Sequence, residues 1–261
     1  KDTPHEPGAK KPDAIVIADG IERHFGGLVA VDVEHFEVQR GQITALIGPN
    51  GAGKSTFFNL LTGYHRADAG TIVYDGNDIT AWSSHAIARA GVSRAFQISN
   101  IFPGLTVLEN TRSAVQVQAG KALDVFSIAK HQCIRETEEI LELCDLRDRG
   151  EVMAGELAQG DKKKLEVAIA LAGKPKLLLL DEPTAGMNPE ETDRMIRLIK
   201  DLADRFGTTF FLTEHDMTVV FSVASRIYVL HQGGLLAQGD RETIQSDPKV
   251  REAYLGGSVN A

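Results

Sequence analysis

The feature that most constrains this 261-residue chain is a glycine-rich run between two apolar segments. The run fits the P-loop pattern, in which a glycine and four further residues precede Gly-Lys-Ser or Gly-Lys-Thr. It comprises Gly48, Pro49, Asn50, Gly51, Ala52, Gly53, Lys54, Ser55 and Thr56. Residues 43–47 are apolar and β-branched, which predicts a buried parallel strand, and residues 57–61 predict a helix. Strand, glycine loop and helix in this order predict a phosphate-binding site.

The residue types in this loop suit a nucleotide. Glycines allow backbone N–H groups to close around phosphate oxygens, and the start of the following helix adds its positive end. We expect Lys54 to reach the β- and γ-phosphates and the Ser55 hydroxyl to bind Mg²⁺. A dinucleotide fingerprint beginning at Gly51 would require a glycine at position 56, which is a threonine. A chance glycine-rich turn is the alternative, and both flanking segments argue against it.

A second strong signal is a run of four leucines, residues 177–180, that ends in two carboxylates. The leucines predict a buried strand, and Asp181 at its carboxyl end suits a Walker B aspartate that holds Mg²⁺ through water. Glu182 is the next residue, so it projects differently and is placed to polarise an attacking water. The alternative is a pair of structural carboxylates, which a chain with a P-loop makes improbable.

Three further candidates depend on their order along the chain. Phe25 lies just ahead of two glycines, where a ring can stack on adenine; packing at a strand end is the alternative. Gln97 and His215 each follow a predicted strand, and His215 would lie at the same sheet edge as the P-loop. Taken alone, Gln97 would be a surface residue and His215 a structural one.

Residues 157–161 read Leu-Ala-Gln-Gly-Asp and lead into a predicted helix that opens with three lysines, 162–164. Positive charge at the positive end of a helix is unfavourable by a few tenths of a kcal/mol per residue. Such a local conflict is expected at functional sites. A solvated basic face is the alternative interpretation.

The remaining pattern predicts strands in the opening third, including a hairpin at residues 71–76, and helices between residues 98 and 174. Capping boxes are predicted at Thr106 with Glu109 and at Asn188 with Glu191. A helix over residues 131–146 would hold both cysteines about three turns apart, too far to bridge. We interpret them as reduced thiols of a cytosolic protein.

Composition narrows the class of protein. The net charge of −8 argues against duplex nucleic acid as the chief ligand. No signal peptide is evident, and the apolar runs are too short to span a bilayer, so a membrane function would require a partner. Residues 1–13 are expected to be a disordered extension.

The order of these features resembles the ATP-binding subunit of ABC transporters over about residues 15–255. Details resemble the branched-chain amino acid importer subfamily: residues 94–97 (Arg-Ala-Phe-Gln), 106–110 (Thr-Val-Leu-Glu-Asn), 214–217 (Glu-His-Asp-Met) and 253–256 (Ala-Tyr-Leu-Gly). The resemblance implies an α/β P-loop NTPase fold of the ABC ATPase type, with an antiparallel β subdomain and a helical subdomain. It implies one domain, with its core at residues 14–97 and 175–256 and its helical subdomain at about 98–174.

The resemblance also implies roles for individual residues. It assigns Glu182 and His215 to catalysis, Phe25, the P-loop and Gln97 to ATP, and Ser55, Gln97 and Asp181 to Mg²⁺. Two subunits, identical or paralogous, would pair head to tail, with ATP between the P-loop of one and the signature of the other. That signature is Ala158, Gln159, Gly160 and Asp161.

The signature departs from the family pattern, which is commonly Leu-Ser-Gly-Gly-Gln. Ala158 lacks the serine hydroxyl that would bond the γ-phosphate, and Asp161 adds negative charge near it. Loss of one hydrogen bond to a charged group costs about 1.5–3 kcal/mol. The departure predicts weaker ATP-driven pairing, or pairing with a non-identical subunit.

The implied function is to bind and hydrolyse ATP and thereby power an importer of branched-chain or related amino acids. The implied partners are transmembrane permease subunits, a second ATP-binding subunit and, indirectly, a periplasmic or extracellular solute-binding protein, with no nucleic acid. The implied location is the cytoplasmic face of a bacterial or archaeal inner membrane. Alternatives are an importer of another small solute, such as an amide, and a soluble ABC ATPase that remodels protein or nucleic acid.

A docking groove for a cytoplasmic helix of the permease is expected beside Gln97, bordered by the loop of residues 98–105. Ile101, Phe102 and Leu105 are apolar residues in this loop, which suits an exposed contact patch. Packing within the core of the helical subdomain is the alternative.

Overall fold

Two β-sheets organise the computed structural model, which describes residues 13–95, 101–118 and 129–255. The strands are β1 Ala14–Phe25, β2 Leu28–Gln39, β3 Ile43–Ile47, β4 Ala69–Tyr74, β5 Asn77–Asp78, β6 Val92–Ala95, β7 Leu177–Asp181, β8 Thr209–Thr213, β9 Arg226–His231 and β10 Gly234–Gly239. A four-stranded antiparallel sheet has the order β2-β1-β4-β5. A six-stranded sheet has the order β10-β9-β3-β8-β7-β6, and its strands run parallel except in the β9–β10 hairpin.

The helices are α1 Lys54–Leu61, α2 Ser84–Arg89, α3 Val107–Gln118, α4 Ala129–Leu143, α5 Gln159–Ala172, α6 Pro189–Phe206, α7 Met217–Val223, α8 Arg241–Ser246 and α9 Pro248–Val250. Both predicted capping boxes are confirmed. Thr106 and Glu109 exchange backbone-to-side-chain hydrogen bonds, and so do Asn188 and Glu191. Among the described residues, no helix has the length and apolar character needed to cross a membrane.

The predicted helix over residues 131–146 is wrong at its carboxyl end. Helix α4 ends at Leu143, and Asp145 adopts a left-handed backbone with φ 54°, which an α-helix does not continue through. Cys144 therefore lies just beyond the helix. Both Cys133 and Cys144 are free and buried, and burial raises the pKa of the Cys144 thiol to about 12.

Side-chain alternation along the parallel strands separates two cores. On β7, Leu178 and Leu180 face the helices, whereas Leu177 and Leu179 face the four-stranded sheet and α1. Aromatic rings fill the second core: Phe36 lies 4.5–5.1 Å, between ring centroids, from Phe57, Phe211 and Tyr228. Packing on both faces fixes the strands, and with them the polar residues at their carboxyl ends.

The helices α3, α4 and α5 contact one another and belong to the first core. They fall within the predicted helical subdomain, and the boundaries of that subdomain stay a prediction. Gln97 lies outside the described residues.

Candidate nucleotide-binding site

The P-loop joins β3 to α1, and its backbone conformation requires glycine at two positions. Gly48 and Gly53 have φ of 158° and 105°, and a Cβ atom at either would lie 2.2 Å from a carbonyl oxygen. The oxygen belongs to Leu230 for Gly48 and to Ala30 for Gly53. Gly51 also has a positive φ, 81°, but a Cβ there would meet no atom within 4 Å. Close packing against neighbouring strands therefore selects the first and third glycines.

Two neighbouring segments brace this loop through backbone hydrogen bonds. Gly233, in the turn between β9 and β10, donates its N–H to the Ala52 carbonyl at 3.0 Å. The N–H of Asp32 on β2 donates to the Gly233 carbonyl at 2.8 Å. The β9–β10 turn thus bonds the loop directly, and β2 bonds that turn.

Lys54 begins α1 and lies with its ammonium folded against the loop. It donates hydrogen bonds to the carbonyl oxygens of Gly48 at 2.6 Å and Pro49 at 3.1 Å. Only 8% of Lys54 is exposed, and this burial lowers the pKa of its ammonium. The negative charges of Glu182 and Asp181 oppose that fall in pKa, because they favour the protonated form. The predicted cation and the two predicted carboxylates therefore share one site.

Asp181 lies at the carboxyl end of β7, and both of its oxygens accept hydrogen bonds. The hydroxyl of Thr213, its neighbour in register on β8, donates at 2.6 Å, and the guanidinium of Arg94 on β6 donates at 2.7 Å. Arg94 also donates to the Asn59 side chain on α1 at 2.6 Å. Because each oxygen of this largely buried carboxylate has its own donor, Arg94 and Thr213 fix the orientation of Asp181.

Glu182 follows with a left-handed backbone, φ 52°, an unfavourable conformation for a residue with a side chain. Its N–H donates to the Thr213 carbonyl at 3.0 Å, and its own carbonyl accepts from the Lys163 ammonium at 2.7 Å. The reversed backbone turns the Glu182 side chain into the cleft that the P-loop lines. His215 has its Nδ1 atom 3.9 Å from Glu182 Oε1, and its side chain is 60% exposed.

A buried carboxylate that the sequence analysis did not single out supports this loop. Glu214 has no exposed surface and accepts hydrogen bonds from the backbone and hydroxyl of Thr184, at 2.8 and 2.7 Å. Its second oxygen accepts from the N–H of His215 at 3.3 Å. Glu214 therefore joins the segment after Glu182 to the segment that carries His215.

The lysines at the start of α5 do not form a solvated face, so that alternative is wrong for two of the three. Lys163 and Lys164 are 8% and 7% exposed. Burial lowers the pKa of Lys163, against the opposing charges of Glu214, Glu166 and Glu182. The Lys164 ammonium lies 2.9 Å from the carboxylate of Asp145.

A cleft of about 650 Å³ lies over the P-loop. One end is polar, with residues 50–56 and Glu182, and the other is the tip of the β1–β2 hairpin. Phe25, Leu28 and Val29 line that tip and are 41%, 66% and 43% exposed. The Phe25 ring also meets the edge of the His65 ring, with centroids 5.3 Å apart, and the Arg23 guanidinium. The cleft thus offers an apolar surface beside a phosphate-binding loop.

The signature residues line a different cleft, of about 750 Å³, which shares no residue with the first. Ala158, Gly160 and Asp161 lie there at the start of α5, and Gln159 is exposed. The Ala158 side chain makes no capping hydrogen bond. A Cβ atom at Gly160 would lie 2.9 Å from Oε1 of Glu191, so glycine also serves the packing of α5 against α6.

Comparison with known proteins decides the family. The profile described as ABC transporter matches residues 31–185, and that of the branched-chain amino acid ATP-binding cassette transporter matches residues 235–260. The chain belongs to the ABC transporter family. This ATP-binding cassette therefore binds ATP and hydrolyses it to power transport.

Two curated relatives illustrate the likeness. The high-affinity branched-chain amino acid transport ATP-binding protein LivG of Salmonella typhimurium is 39% identical, over 93% of this chain and 98% of the relative. The probable LivG of Archaeoglobus fulgidus is 37% identical, over 93% of this chain and 95% of the relative.

Solved structures agree with the fold of the cassette. A nucleotide-free ATP-binding cassette from an ABC transporter has a TM-score of 0.81 at 30% identity, and covers 92% of this chain and 98% of its own. An ATP-binding cassette of an ABC transporter in its ADP conformation has the same TM-score and identity, and covers 93% of this chain and 99% of its own. The expected ABC ATPase fold is confirmed.

Within this cassette, the structure brings together most residues expected at the ATP site. Residues 50–56, Phe25 and Glu182 line one cleft, the charge of Asp181 favours the protonated form of Lys54, and His215 lies beside Glu182. The sequence marked the lysines at residues 162–164 as a local conflict, but it did not identify the supporting contacts of Arg94, Lys163 and Glu214. Their signal was a charge inside an apolar strand or at an unfavourable helix end, and the distant partner of each could not be read from the sequence.

Substitution of two P-loop glycines by alanine should have unequal effects. Gly53→Ala places a Cβ against the Ala30 carbonyl, whereas Gly51→Ala meets only the backbone penalty of about 1–2 kcal/mol. We expect Gly53→Ala to lower the free energy of unfolding by about 1–3 kcal/mol more than Gly51→Ala does. Urea denaturation of both variants measures this difference. Equal losses would show that the contact with β2 does not constrain the loop.

Proposed function

We propose that this ATPase subunit powers an importer of branched-chain or related amino acids. The observation that carries the ATPase chemistry is the meeting of Lys54, Asp181 and Glu182 at the P-loop cleft. The C-terminal profile match and the names of the curated relatives support the transported substrate.

ATP occupies the P-loop cleft with its adenine on the apolar tip. Phe25 stacks on the base, and Leu28 and Val29 extend the apolar surface, because all three are exposed on one wall of the cleft. The phosphates lie on the backbone N–H groups of residues 48–56 at the start of α1. Lys54 exchanges its bonds to the Gly48 and Pro49 carbonyls for bonds to phosphate oxygens, which are stronger because both partners are charged.

The residues present fit a magnesium ion. Ser55 lies exposed in the first turn of α1, and Asp181 presents a carboxylate whose orientation Arg94 and Thr213 fix. Hydroxyl and carboxylate oxygens are the donors that Mg²⁺ prefers, with water and phosphate oxygens as its other ligands. Ser55, Asp181 through water, and Gln97 would hold the ion. When bound, Mg²⁺ offsets the charge on the phosphate oxygens.

Hydrolysis is assigned to the Glu182 side chain. The oxygen of a water attacks the γ-phosphorus, Glu182 accepts a proton of that water, and the bond between the γ-phosphorus and the bridging oxygen of ADP breaks. His215 contacts the γ-phosphate from beside Glu182. Lys54 and the P-loop N–H groups stabilise the negative charge on the phosphate oxygens in the transition state.

A complete ATP site requires a second subunit, because the signature cleft and the P-loop cleft are separate within one chain. Head-to-tail pairing with a second copy, or with a paralogous subunit, places residues 158–161 on the partner's nucleotide. The helix start offers its N–H groups to the γ-phosphate. Ala158 offers no hydroxyl and Asp161 brings a negative charge, so pairing is weaker than with the common signature.

The loop at residues 101–106 suits contact with a permease at the cytoplasmic face of a bacterial or archaeal membrane. Phe102 is 61% exposed, whereas Ile101 and Leu105 are partly buried. The Asn110 side chain accepts from the Phe102 N–H at 2.8 Å and donates to the Phe102 carbonyl at 3.0 Å. An apolar ring held on a braced loop is a suitable contact for an apolar permease helix. A solute-binding protein outside the membrane acts through that permease.

Replacement of Glu182 tests the catalytic assignment. We expect Glu182→Gln to retain ATP affinity and to lose turnover by at least about 10²-fold, because the amide cannot accept the proton. Glu139→Gln is the matched control, since Glu139 is exposed on α4. Steady-state hydrolysis and a binding titration measure both quantities. Near-normal turnover in Glu182→Gln would remove the residue from the mechanism.

The same variant tests the substrate in cells. A strain lacking this gene should lose uptake of labelled leucine, and the wild-type gene, but not Glu182→Gln, should restore it. Uptake of a labelled amide is measured in parallel. Loss of amide uptake with unchanged leucine uptake would overturn the substrate assignment and favour an amide importer.

The docking loop is tested with Phe102→Ala against Phe206→Ala, an exposed phenylalanine on α6. Because Phe102 is exposed, its loss should leave the stability and ATP affinity of the subunit unchanged, while assembly with the permease falls. Co-purification with the permease and urea denaturation measure the two effects. Unfolding of Phe102→Ala would instead support a packing role, and normal assembly would remove Phe102 from the interface.

A further inference from the structure

Lys163 connects the signature helix to the backbone of Glu182. It lies on α5, three residues after Gly160, and its ammonium donates to the Glu182 carbonyl at 2.7 Å. Lys163 is 8% exposed, so its ammonium depends on protein partners. Glu214, which is fully buried, and Glu166 also favour its charged form.

The segment after Glu182 is held from several elements. The N–H of Glu182 bonds to Thr213 on β8, and Thr184 bonds to Glu214, which follows β8. The partners in these bonds lie on β8 or directly after it. The bond from Lys163 comes from α5, whose first turn lines the signature cleft.

The signature glycine, Gly160, and the lysine that bonds Glu182, Lys163, lie close together along α5. Three residues are slightly less than one helical turn, roughly 4.5 Å along the axis, so Gly160 and Lys163 move together as parts of one rigid helix. A shift of the helix start toward or away from a nucleotide therefore moves the Lys163 ammonium relative to the Glu182 carbonyl. Glu182 is sensitive to such a shift because its left-handed backbone is maintained by these contacts.

We infer that Lys163 is a positioning residue that couples the two ATP sites of a head-to-tail pair, because it ties the Glu182 backbone to the helix that faces the partner's nucleotide. This inference rests on the proposed function, specifically on the pairing. Engagement of the partner's γ-phosphate by residues 158–161 sets the position of α5. Lys163 then holds Glu182 in the geometry for attack in its own site, so each site responds to occupancy of the other.

The test uses hydrolysis by the full chain as a function of ATP concentration. Lys163→Met removes the donor and keeps the apolar stem, Lys163→Arg keeps a charged donor, and Lys162→Met is the control on a partly exposed lysine of the same turn. We expect Lys163→Met to lower kcat by about 10-fold or more, as misplacement of a reacting group does, and to reduce the Hill coefficient to 1. ATP affinity should stay unchanged, Lys163→Arg should restore most of both losses, and Lys162→Met should match the wild type.

Other outcomes overturn the inference. Wild-type kcat and Hill coefficient in Lys163→Met would show that the bond does not couple the sites. If Lys163→Met does not fold, it is replaced by Lys163→Gln, whose uncharged amide ends one bond short of the lysine ammonium, and wild-type kcat and Hill coefficient in that variant would contradict the role. Failure of Lys163→Arg to restore both values would also contradict it. Hydrolysis by the wild-type chain without cooperativity would overturn the coupling and the pairing, while leaving ATP hydrolysis by the cassette intact.

Discussion

The buried ammonium of Lys54 is the group on which the site depends. Lys54 is 8% exposed, its ammonium donates to carbonyls of its own loop, and the charges of Asp181 and Glu182 favour its protonated form. A charge in this position is stable only with such partners nearby. Gly48 and Gly53 adopt backbone conformations, and approach neighbouring strands so closely, that a side chain would not fit at either position. This path of the loop brings its carbonyl oxygens to the ammonium. Phosphate binding and loop geometry therefore have the same structural basis.

The parallel sheet brings further polar groups of the site to one edge. Asp181, Thr213 and Glu214 all occur at or just after the carboxyl ends of β7 and β8, the edge where ligands bind in open α/β sheets. Asp181 accepts hydrogen bonds from Thr213 and Arg94, and Glu214 accepts hydrogen bonds from Thr184. The apolar side chains that pack on both faces of the sheet fix the strands, and they thereby also determine where the carboxylates of Asp181 and Glu214 lie.

The sequence predicted the parts of the site whose signals are local. The P-loop, the strand before Asp181 and Glu182, the two capping boxes and the hairpin at residues 71–76 each depend on neighbours within a few residues, and all were found in place. The end of α4 was wrong because the left-handed Asp145 has no glycine or proline to mark it. The contacts of Arg94, Lys163 and Glu214 could not be predicted because the partners of these residues lie between 19 and 87 residues away along the chain. The signature departure at Ala158 was visible in the sequence, and its effect depends on a second subunit.

The most direct test of the ATP site is a calorimetric titration of the chain and its Lys54→Met variant with ATP. Methionine keeps the apolar stem of the lysine and removes the ammonium. Loss of a hydrogen bond to a charged group, about 1.5–3 kcal/mol, predicts an affinity lower by roughly 10- to 150-fold. Equal ATP affinity in the two proteins would contradict the assignment of the phosphates to this loop.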